Sequence, residues 1–146
     1  MLLDDVDAIS RVLHALQHGA GIDPADQTIL QDLIEAGYPI DLGDSTGMVK
    51  ALPRLQEAIS PLAESELASQ FSDGLSSKLE SFMVFPAIES TNSFLLNKPL
   101  SAGKVAVCLT ESQLAGRGRR GAEWVSAPYR NVLLSVAYSF PAWPSS

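Results

Sequence analysis

The chain has 146 residues, of which 46% are hydrophobic, and it carries a formal net charge of −7. This length allows one domain or two very small ones, and the acidic balance argues against general nucleic-acid binding and against docking on an anionic membrane. The charge is unevenly spread, because residues 1–79 hold 4 basic and 13 acidic side chains whereas residues 80–146 hold 6 and 4. This asymmetry indicates two segments with different roles.

The single cysteine, Cys108, lies in the apolar run VAVCL and is predicted to be a buried strand residue. Both histidines, His14 and His18, are far from it in sequence, so a cysteine–histidine nucleophile is not expected. The first residues are acidic where a targeting segment would be basic, and no stretch reads as a membrane span. A cytoplasmic protein without membrane contact is therefore expected.

The first half of the chain predicts two helices and a hairpin. Apolar residues recur at helical spacing over residues 5–18, and Gly19 is placed to end that helix. Asp23 and Pro24 are a typical start for a second helix, which Gly37 would stop. Two extended segments, residues 38–42 and 48–52, flank a turn-forming cluster. This order outlines a short winged-helix-like module over residues 1–52.

DNA reading by this module is not expected. The second helix contains three acidic residues and no lysine or arginine, whereas phosphate contacts need cations. His14 and His18 are four residues apart, a spacing that can suit a metal on a helix face. No carboxylate or cysteine arrangement completes a site around them, so solvated or capping histidines are expected and no metal ligand is predicted.

The second half predicts strands interleaved with a helix, which indicates an α/β or α+β sheet domain, and for the whole chain we predict an α+β fold. Residues 53–80 are predicted to form a helical connector. A strand is predicted over residues 81–88, although Pro86 within it favours an edge or a bulge. A short helix over residues 92–96, capped by Ser90 or Thr91, follows. Two further strands are predicted over residues 104–109 and 131–140.

A glycine- and arginine-rich loop, GRGRRG at residues 116–121, stands out in this acidic chain. Glycine permits positive φ and lets a ligand approach the backbone closely. Arginine offers a planar, permanently charged fork of donors that suits phosphate and carboxylate. Since a hydrophobic core needs neither, the loop is predicted to hold an anion.

Four features stand in a fixed order: ESTN at residues 89–92, then Gln113, then the loop, then Trp124. This order resembles the catalytic domain of the bacterial biotin–protein ligases. In that family one strand leads into a Ser-Thr-Asn motif at a helix start. A second strand leads into Gln-x-x-Gly-Arg-Gly-Arg-Arg-Gly-x-x-Trp, which is QLAGRGRRGAEW here, at residues 113–124. The resemblance implies the first part of such a catalytic domain over residues 81–146, after a degenerate winged-helix-like module.

The resemblance implies a two-step reaction. The biotin carboxylate attacks the α-phosphate of ATP with Mg²⁺ assisting, pyrophosphate leaves, and the biotinyl-adenylate then acylates a lysine of a carrier protein. In this family the acceptor is the biotin carboxyl carrier protein of acetyl-CoA carboxylase. The family's downstream segment that carries a further lysine has no counterpart here, so the activity is expected to be impaired.

The resemblance also assigns roles to residues. Arg117 and Arg119 would act on the carboxylate and phosphate region and are the candidate catalytic residues. The candidate biotin-binding residues, of which Ser90, Thr91 and Gln113 would hydrogen-bond the ureido end, are Ser90, Thr91, Asn92, Gln113, Arg117, Gly118 and Arg119. The candidate adenylate-binding loop residues are Gly116, Arg120, Gly121 and Trp124.

Other interpretations remain open at this point. Ser90 and Thr91 would serve equally as helix caps, Trp124 as a core residue, and Arg120 as a solvated surface charge. The whole chain could be a non-catalytic regulatory or interaction fragment that retains a partial biotinyl-adenylate site. A DNA-binding regulator is disfavoured by charge, and a lipoate-ligase relative is disfavoured by the biotin-type form of the loop.

Overall fold

The first helix begins and ends at residues that the sequence singles out. In the computed structural model, which describes residues 5–43 and 52–141, helix α1 spans Val6–His18. The Asp5 carboxylate accepts a hydrogen bond from the Ala8 backbone N–H at 2.9 Å and so caps the free amides of the first turn. Gly19 ends the helix at φ 63°, a left-handed conformation that glycine adopts without steric cost.

The second helix starts through a tighter turn. The Asp23 side chain accepts from the Ala25 backbone N–H at 2.8 Å, a 3₁₀ turn follows over Pro24–Asp26, and helix α2 spans Gln27–Glu35. Gly37, at φ 82°, lies just beyond its end. The predicted cap and stop are therefore confirmed, with the first helical turn wound as 3₁₀ instead of α.

The hairpin prediction is only partly testable. Strand β1, Ile40–Asp41, pairs antiparallel with strand β2, Arg54–Leu55. The predicted second strand, residues 48–52, lies outside the described residues except for Leu52, which is not in a strand. Two short helices then lie between this small sheet and the larger one: α3, Glu64–Ala68, and α4, Asp73–Lys78.

The larger sheet is mixed and three-stranded. Strand β3, Leu79–Phe85, pairs parallel with β4, Val105–Thr110, and β4 pairs antiparallel with β5, Leu133–Tyr138. Helix α5, Thr91–Leu96, connects the two parallel strands. The predicted α+β character is confirmed. The strand predicted over residues 81–88 is wrong at its C-terminal end. Strand β3 stops at Phe85, just before Pro86, which has no backbone N–H to donate.

Two hydrophobic clusters support these elements. The N-terminal core is formed mostly by α1 and α2 and comprises Ile9, Val12, Leu13, Leu16, Leu30, Leu33, Tyr38, Leu55 and Ala87. The sheet core lies between α5 and the sheet and comprises Leu95, Ala106 and Cys108, with partly buried neighbours such as Phe85 and Phe94. Ala87 belongs to the segment that follows β3, so the N-terminal core reaches under the end of the sheet.

Direct hydrogen bonds also join the first helices to the sheet region. The Tyr38 hydroxyl donates to Ser112 Oγ at 2.8 Å in a buried position, and Gln17 Nε2 donates to the Tyr129 hydroxyl at 3.2 Å. The two halves of the chain therefore share one packed interface. No helix within residues 5–43 or 52–141 is long and apolar enough to cross a membrane.

Candidate functional site

The candidate site begins where the two parallel strands end. Beyond β3 and β4 the chain still pairs, because the Ile88 N–H donates to the Ser112 carbonyl at 3.1 Å and the Leu114 N–H donates to the Ile88 carbonyl at 3.0 Å. The Ala115 N–H continues this ladder to the Glu89 carbonyl at 2.9 Å. The pairing brings the start of α5 directly beside Gln113, although the two lie more than twenty residues apart in sequence.

A hydrogen-bonded cluster of three side chains forms there, which we call the Thr91 cluster: Thr91, Gln113 and Ser135. Gln113 Oε1 accepts from the Thr91 backbone N–H at 2.9 Å and from the Thr91 hydroxyl at 3.1 Å. The Thr91 and Ser135 hydroxyls lie 2.8 Å apart. Thr91 is buried, whereas Gln113 and Ser135 remain partly exposed. Two of the predicted site residues therefore meet directly, and a third residue that the sequence analysis did not select joins them.

Ser135 was missed because it lies in a strand whose other residues are mostly apolar. It alternates with the exposed Leu134 and Val136 on β5 and so shares the face of the sheet that α5 covers. Ser135 could have been found from the sequence as the single hydroxyl residue on the covered face of an apolar strand. Buried hydroxyls take hydrogen-bond partners, so such a residue indicates a polar contact.

Ser90 and Asn92, the neighbours of Thr91, have different surroundings. Ser90 is the N-cap of α5, and its Oγ accepts from the Ser93 backbone N–H at 3.4 Å. The capping interpretation is therefore confirmed for Ser90, which is also buried. Asn92 is exposed on the first turn of α5 and is not part of the Thr91 cluster.

The glycine- and arginine-rich loop is a small hairpin. The Gly118 N–H donates to the Ala122 carbonyl at 2.7 Å, and the Trp124 N–H donates to the Gly116 carbonyl at 2.9 Å. A 3₁₀ turn at the tip covers Arg119–Gly121. Because the hairpin starts three residues after Gln113, it is anchored at the edge of the Thr91 cluster.

Gly116 occupies a position with no room for a side chain. A Cβ atom there would lie 3.1 Å from the Trp124 carbonyl oxygen, 3.2 Å from Gln113 Nε2 and 3.3 Å from Trp124 Cβ. These separations are shorter than ordinary contacts between such atoms, so glycine lets the two hairpin arms and the Gln113 amide approach one another. The same contacts place Gln113 Nε2 on the loop side of the cluster.

The loop exposes positive charge. The side chains of Arg117 and Arg120 are exposed, and Arg120 adopts a left-handed conformation at φ 62° at the tip. The side chain of Arg119 lies outside what the structure describes, and Gly121 follows with φ 77°. Exposure of Arg120 agrees with its interpretation as a solvated charge, and leaves it free to meet an anion.

Trp124 is not a core residue. Its exposed fraction is 55%, so the interpretation of this tryptophan as core is wrong. A large aromatic face beside a hydrogen-bonded loop remains open to a ligand or a partner surface.

Cys108 and the histidines take no part in this arrangement. Cys108 is fully buried on β4, and burial raises the pKa of its thiol to about 11, so it stays an unreactive thiol at neutral pH. His14 and His18 line a separate cavity of about 630 Å³, beside Leu62, Phe85 and Glu111. Among the residues that the structure describes, no group of three or more histidine, cysteine or acidic side chains is arranged to hold a metal.

Comparison with known proteins gives two informative relatives, while no protein-family model matches the chain. The bifunctional ligase/repressor BirA of Escherichia coli is 34% identical over 92 residues, which cover 63% of this chain and 27% of that protein. The bifunctional ligase/repressor BirA of Salmonella typhimurium is 37% identical over 76 residues, which cover 51% of this chain and 24% of that protein. The chain therefore spans about a quarter of the length of these relatives. Together with the ordered motifs around Thr91, Gln113 and the glycine- and arginine-rich loop, these similarities support a relationship of the matched part of the chain to the biotin–protein ligase family.

Proposed function

We propose that this chain binds biotin at the Thr91 cluster and activates it with Mg·ATP to biotinyl-AMP for transfer to a lysine of a biotin carboxyl carrier protein. The observation that carries the proposal is the pair of hydrogen bonds from Thr91 to Gln113 Oε1. They join two motifs, far apart in sequence, that the ligase family also combines. Neutral donors and acceptors of this kind suit the neutral ureido group of biotin.

The glycine- and arginine-rich loop supplies the positive charge that the chemistry of adenylation requires. Attack of a carboxylate on a phosphate brings negative charges together, so positive charge must already be in place where they meet. The amides of Gly118 and Trp124 are used within the hairpin. The cationic side chains, with Arg117 and Arg120 exposed at the loop, therefore carry the role of stabilising the anion. The exposed face of Trp124 is suited to cover an adenine or adenylate.

The N-terminal module, residues 1–52, is proposed to support the site and not to read DNA. Tyr38 and Leu33 belong to the cluster that also buries Ala87, three residues before Ser90. Helix α2 bears no lysine or arginine, and Asp26 at its start is engaged by Arg11 at 3.0 Å. A DNA-reading helix would need cations on its exposed face.

A calorimetric titration of the chain with biotin, with and without Mg·ATP, tests the proposal. It should be run beside an assay for biotinyl-adenylate. Binding with at least weak adenylate formation is the expected result. A chain that is folded by circular dichroism but binds no biotin and forms no adenylate would refute the ligase proposal.

A charge-removal variant tests the role of the loop. Arg119→Ala should weaken retention of biotinyl-adenylate by about 1.5–3 kcal/mol, the worth of a charge-assisted hydrogen bond. Arg130→Ala is the matched control, because Arg130 is an exposed arginine outside the hairpin. Equal losses in the two variants, or none in Arg119→Ala, would remove Arg119 from the site.

The second candidate function is that of a non-catalytic interaction or regulatory fragment. It is favoured by the outward face of β5, where Leu134, Val136 and Tyr138 are 50%, 60% and 45% exposed. Apolar side chains in a row on a strand are typical of a surface that another protein segment covers. Biotin binding without adenylate formation would favour this function over the ligase.

A further inference from the structure

A cavity of about 630 Å³, which we call the Glu111 cavity, opens between the end of α1, helix α3 and the end of strand β3. Its walls come from three segments, within residues 14–18, 61–68 and 84–86, and from Glu111, which follows β4. None of the three residues of the Thr91 cluster lines it. Its volume is in the range of cavities that hold small organic ligands. The Glu111 cavity is therefore a candidate binding site apart from the one proposed for biotin.

The charged side chains of the Glu111 cavity lie at two depths. Glu111 is only 6% exposed and lies at the inner wall, whereas Glu64, His14 and His18 are exposed and lie at the mouth. The lining that the structure describes contains two glutamates but no lysine or arginine. Neither glutamate forms an ion pair with another described side chain. The cavity therefore carries acidic groups that no cation of the described protein balances.

The carboxyl group of Glu111 has one oxygen bound to the protein and one left over. Oε1 accepts a hydrogen bond from the Leu62 backbone N–H on the cavity wall, and among the described residues Oε2 has no such partner. Over the same residues, Ser81 Oγ is the one fully enclosed side-chain oxygen or nitrogen without a hydrogen bond. Glu111 Oε2 is therefore not fully enclosed. The open space that this residue meets is the cavity.

Burial makes the ionised form of Glu111 costly unless a positive charge joins it. The surroundings raise the pKa of its carboxyl group through desolvation, and the hydrogen bond from Leu62 opposes that rise. A cation placed beside the carboxyl group would favour the ionised form. The C-terminal end of α1 lies on the same cavity, and the negative end of a helix dipole also favours a cation.

The remaining walls of the cavity select for an apolar body on that cation. Leu62, Val84, Phe85 and Pro86 line it and are only partly exposed. A hydrated metal ion would leave this surface in contact with water, whereas an organic cation would cover it. The lining therefore combines a charged inner end with apolar sides.

We propose that the Glu111 cavity binds a small organic cation, an ammonium group on an apolar body, whose N–H donates to Glu111 Oε2 while Glu64 attracts the charge from the mouth. The inference goes beyond the proposed function and does not depend on it, since the cavity and the Thr91 cluster share no residue.

Phenethylamine is a suitable probe, because it is cationic at neutral pH and carries a phenyl ring. Titration of the whole chain, followed by NMR, should give saturable binding with shifts at the backbone amides of Leu62 and Glu111. Phenethyl alcohol and hydrocinnamate, which are neutral and anionic molecules of similar size, should bind about tenfold more weakly or worse. Equal binding of the alcohol, or no saturation by the amine at about 10 mM, would overturn the proposal. Shifts confined to Thr91 and Gln113 would overturn it as well.

A pair of charge reversals on α3 tests the role of the mouth. Glu64→Lys should weaken phenethylamine binding about tenfold or more, because it places a like charge beside the ligand. Glu66→Lys is the matched control, since Glu66 is exposed on the same helix, does not line the cavity and gives the same change in net charge. Equal weakening in the two variants would show a general attraction to an acidic chain and would overturn the assigned site.

Glu111→Gln tests the inner end, because glutamine keeps the acceptor for the Leu62 N–H but removes the charge. Circular dichroism checks that the variant is folded, and binding of phenethylamine should fall about tenfold to a hundredfold. Calorimetry at mildly acidic pH in two buffers of different ionisation enthalpy should show more proton release from the wild type than from the variant. Other titratable groups around Glu111 are the same in both proteins, namely His14, His18, Glu64 and Tyr129. Unchanged affinity and equal proton release would remove Glu111 from the site.

Discussion

The N-terminal core and the sheet core differ in how completely they are buried. The N-terminal core contains side chains such as Ile9, Leu13 and Leu33 that are fully buried between α1 and α2. The sheet core is small, and the outer face of β5 exposes Leu134, Val136 and Tyr138. The candidate site lies where the two regions meet, because Ala87 and Ser112 touch the N-terminal side while Thr91 and Gln113 follow within a few residues. The N-terminal core therefore packs against the segments that carry the site, through Ala87 and Ser112.

The largest expected effect is the loss of packing in the N-terminal core. Leu13→Ala should lower the free energy of unfolding by about 3–5 kcal/mol, because it removes a fully buried side chain and leaves a cavity. Val136→Ala, on the 60% exposed face of β5, should cost less than about 1 kcal/mol. Urea unfolding measures both. Similar losses in the two variants would contradict the difference between the two regions.

The second largest effect is expected from adding a methyl group at Gly116, in the glycine- and arginine-rich loop. Gly116→Ala should destabilise the fold by about 1–3 kcal/mol, because its Cβ meets backbone and the Gln113 amide within 3.1–3.3 Å. It should also abolish biotin binding by displacing Gln113. Gly74→Ala is the control, since that glycine lies in α4 with nothing within 4 Å of its would-be Cβ. Thermal unfolding and biotin titration of both variants would decide whether the Gly116 position is as crowded as described.

Removal of the Tyr38 hydroxyl tests the connection between the N-terminal core and the sheet region. Tyr38→Phe removes the donor to Ser112 Oγ and should cost about 1 kcal/mol of unfolding free energy. Because Ser112 precedes Gln113, biotin affinity should fall as well. Tyr138→Phe, on the exposed face of β5, should change neither quantity. If Tyr38→Phe lowers stability but leaves biotin affinity intact, the N-terminal region supports the fold and not the site.

The smallest expected effect depends on pH. Glu111 is buried, which raises the pKa of its carboxyl above the ordinary 4.5, and its hydrogen bond from the Leu62 backbone N–H opposes that rise. The folded state therefore holds the proton more tightly than the unfolded chain. The stabilisation from this group is complete below pH 4.5 and is lost as pH rises through the folded-state pKa.

Glu111→Gln isolates that contribution, since glutamine keeps the carbonyl acceptor and does not titrate. The stability of the wild type relative to the variant should fall as pH rises from 4 toward neutrality, as followed by urea unfolding at several pH values. A difference that stays constant, or that grows in favour of the wild type with rising pH, would show that the folded state does not favour the neutral carboxyl.

Local signals account for what was predicted correctly. Asp23 as a cap, Gly19 as a helix end and Cys108 as a buried strand residue each follow from one residue and its near neighbours. Strand ends were less accurate: the strand predicted over residues 131–140 spans Leu133–Tyr138. The ends of a strand depend on its partner, which the local pattern does not contain. The roles of the site residues toward biotin and adenylate stay predictions.

The sequence by itself determined the family relationship, the helices of the first half and the α+β character of the chain, because these depend on ordered motifs, periodicity and capping residues. Only the tertiary structure decided that Gln113 accepts from Thr91, that Ser135 completes the cluster and that Trp124 stays exposed. The first two facts depend on strand register, which sets residues from three separate segments of the chain side by side. A hydrogen bond between side chains 44 positions apart has no signature in either neighbourhood alone.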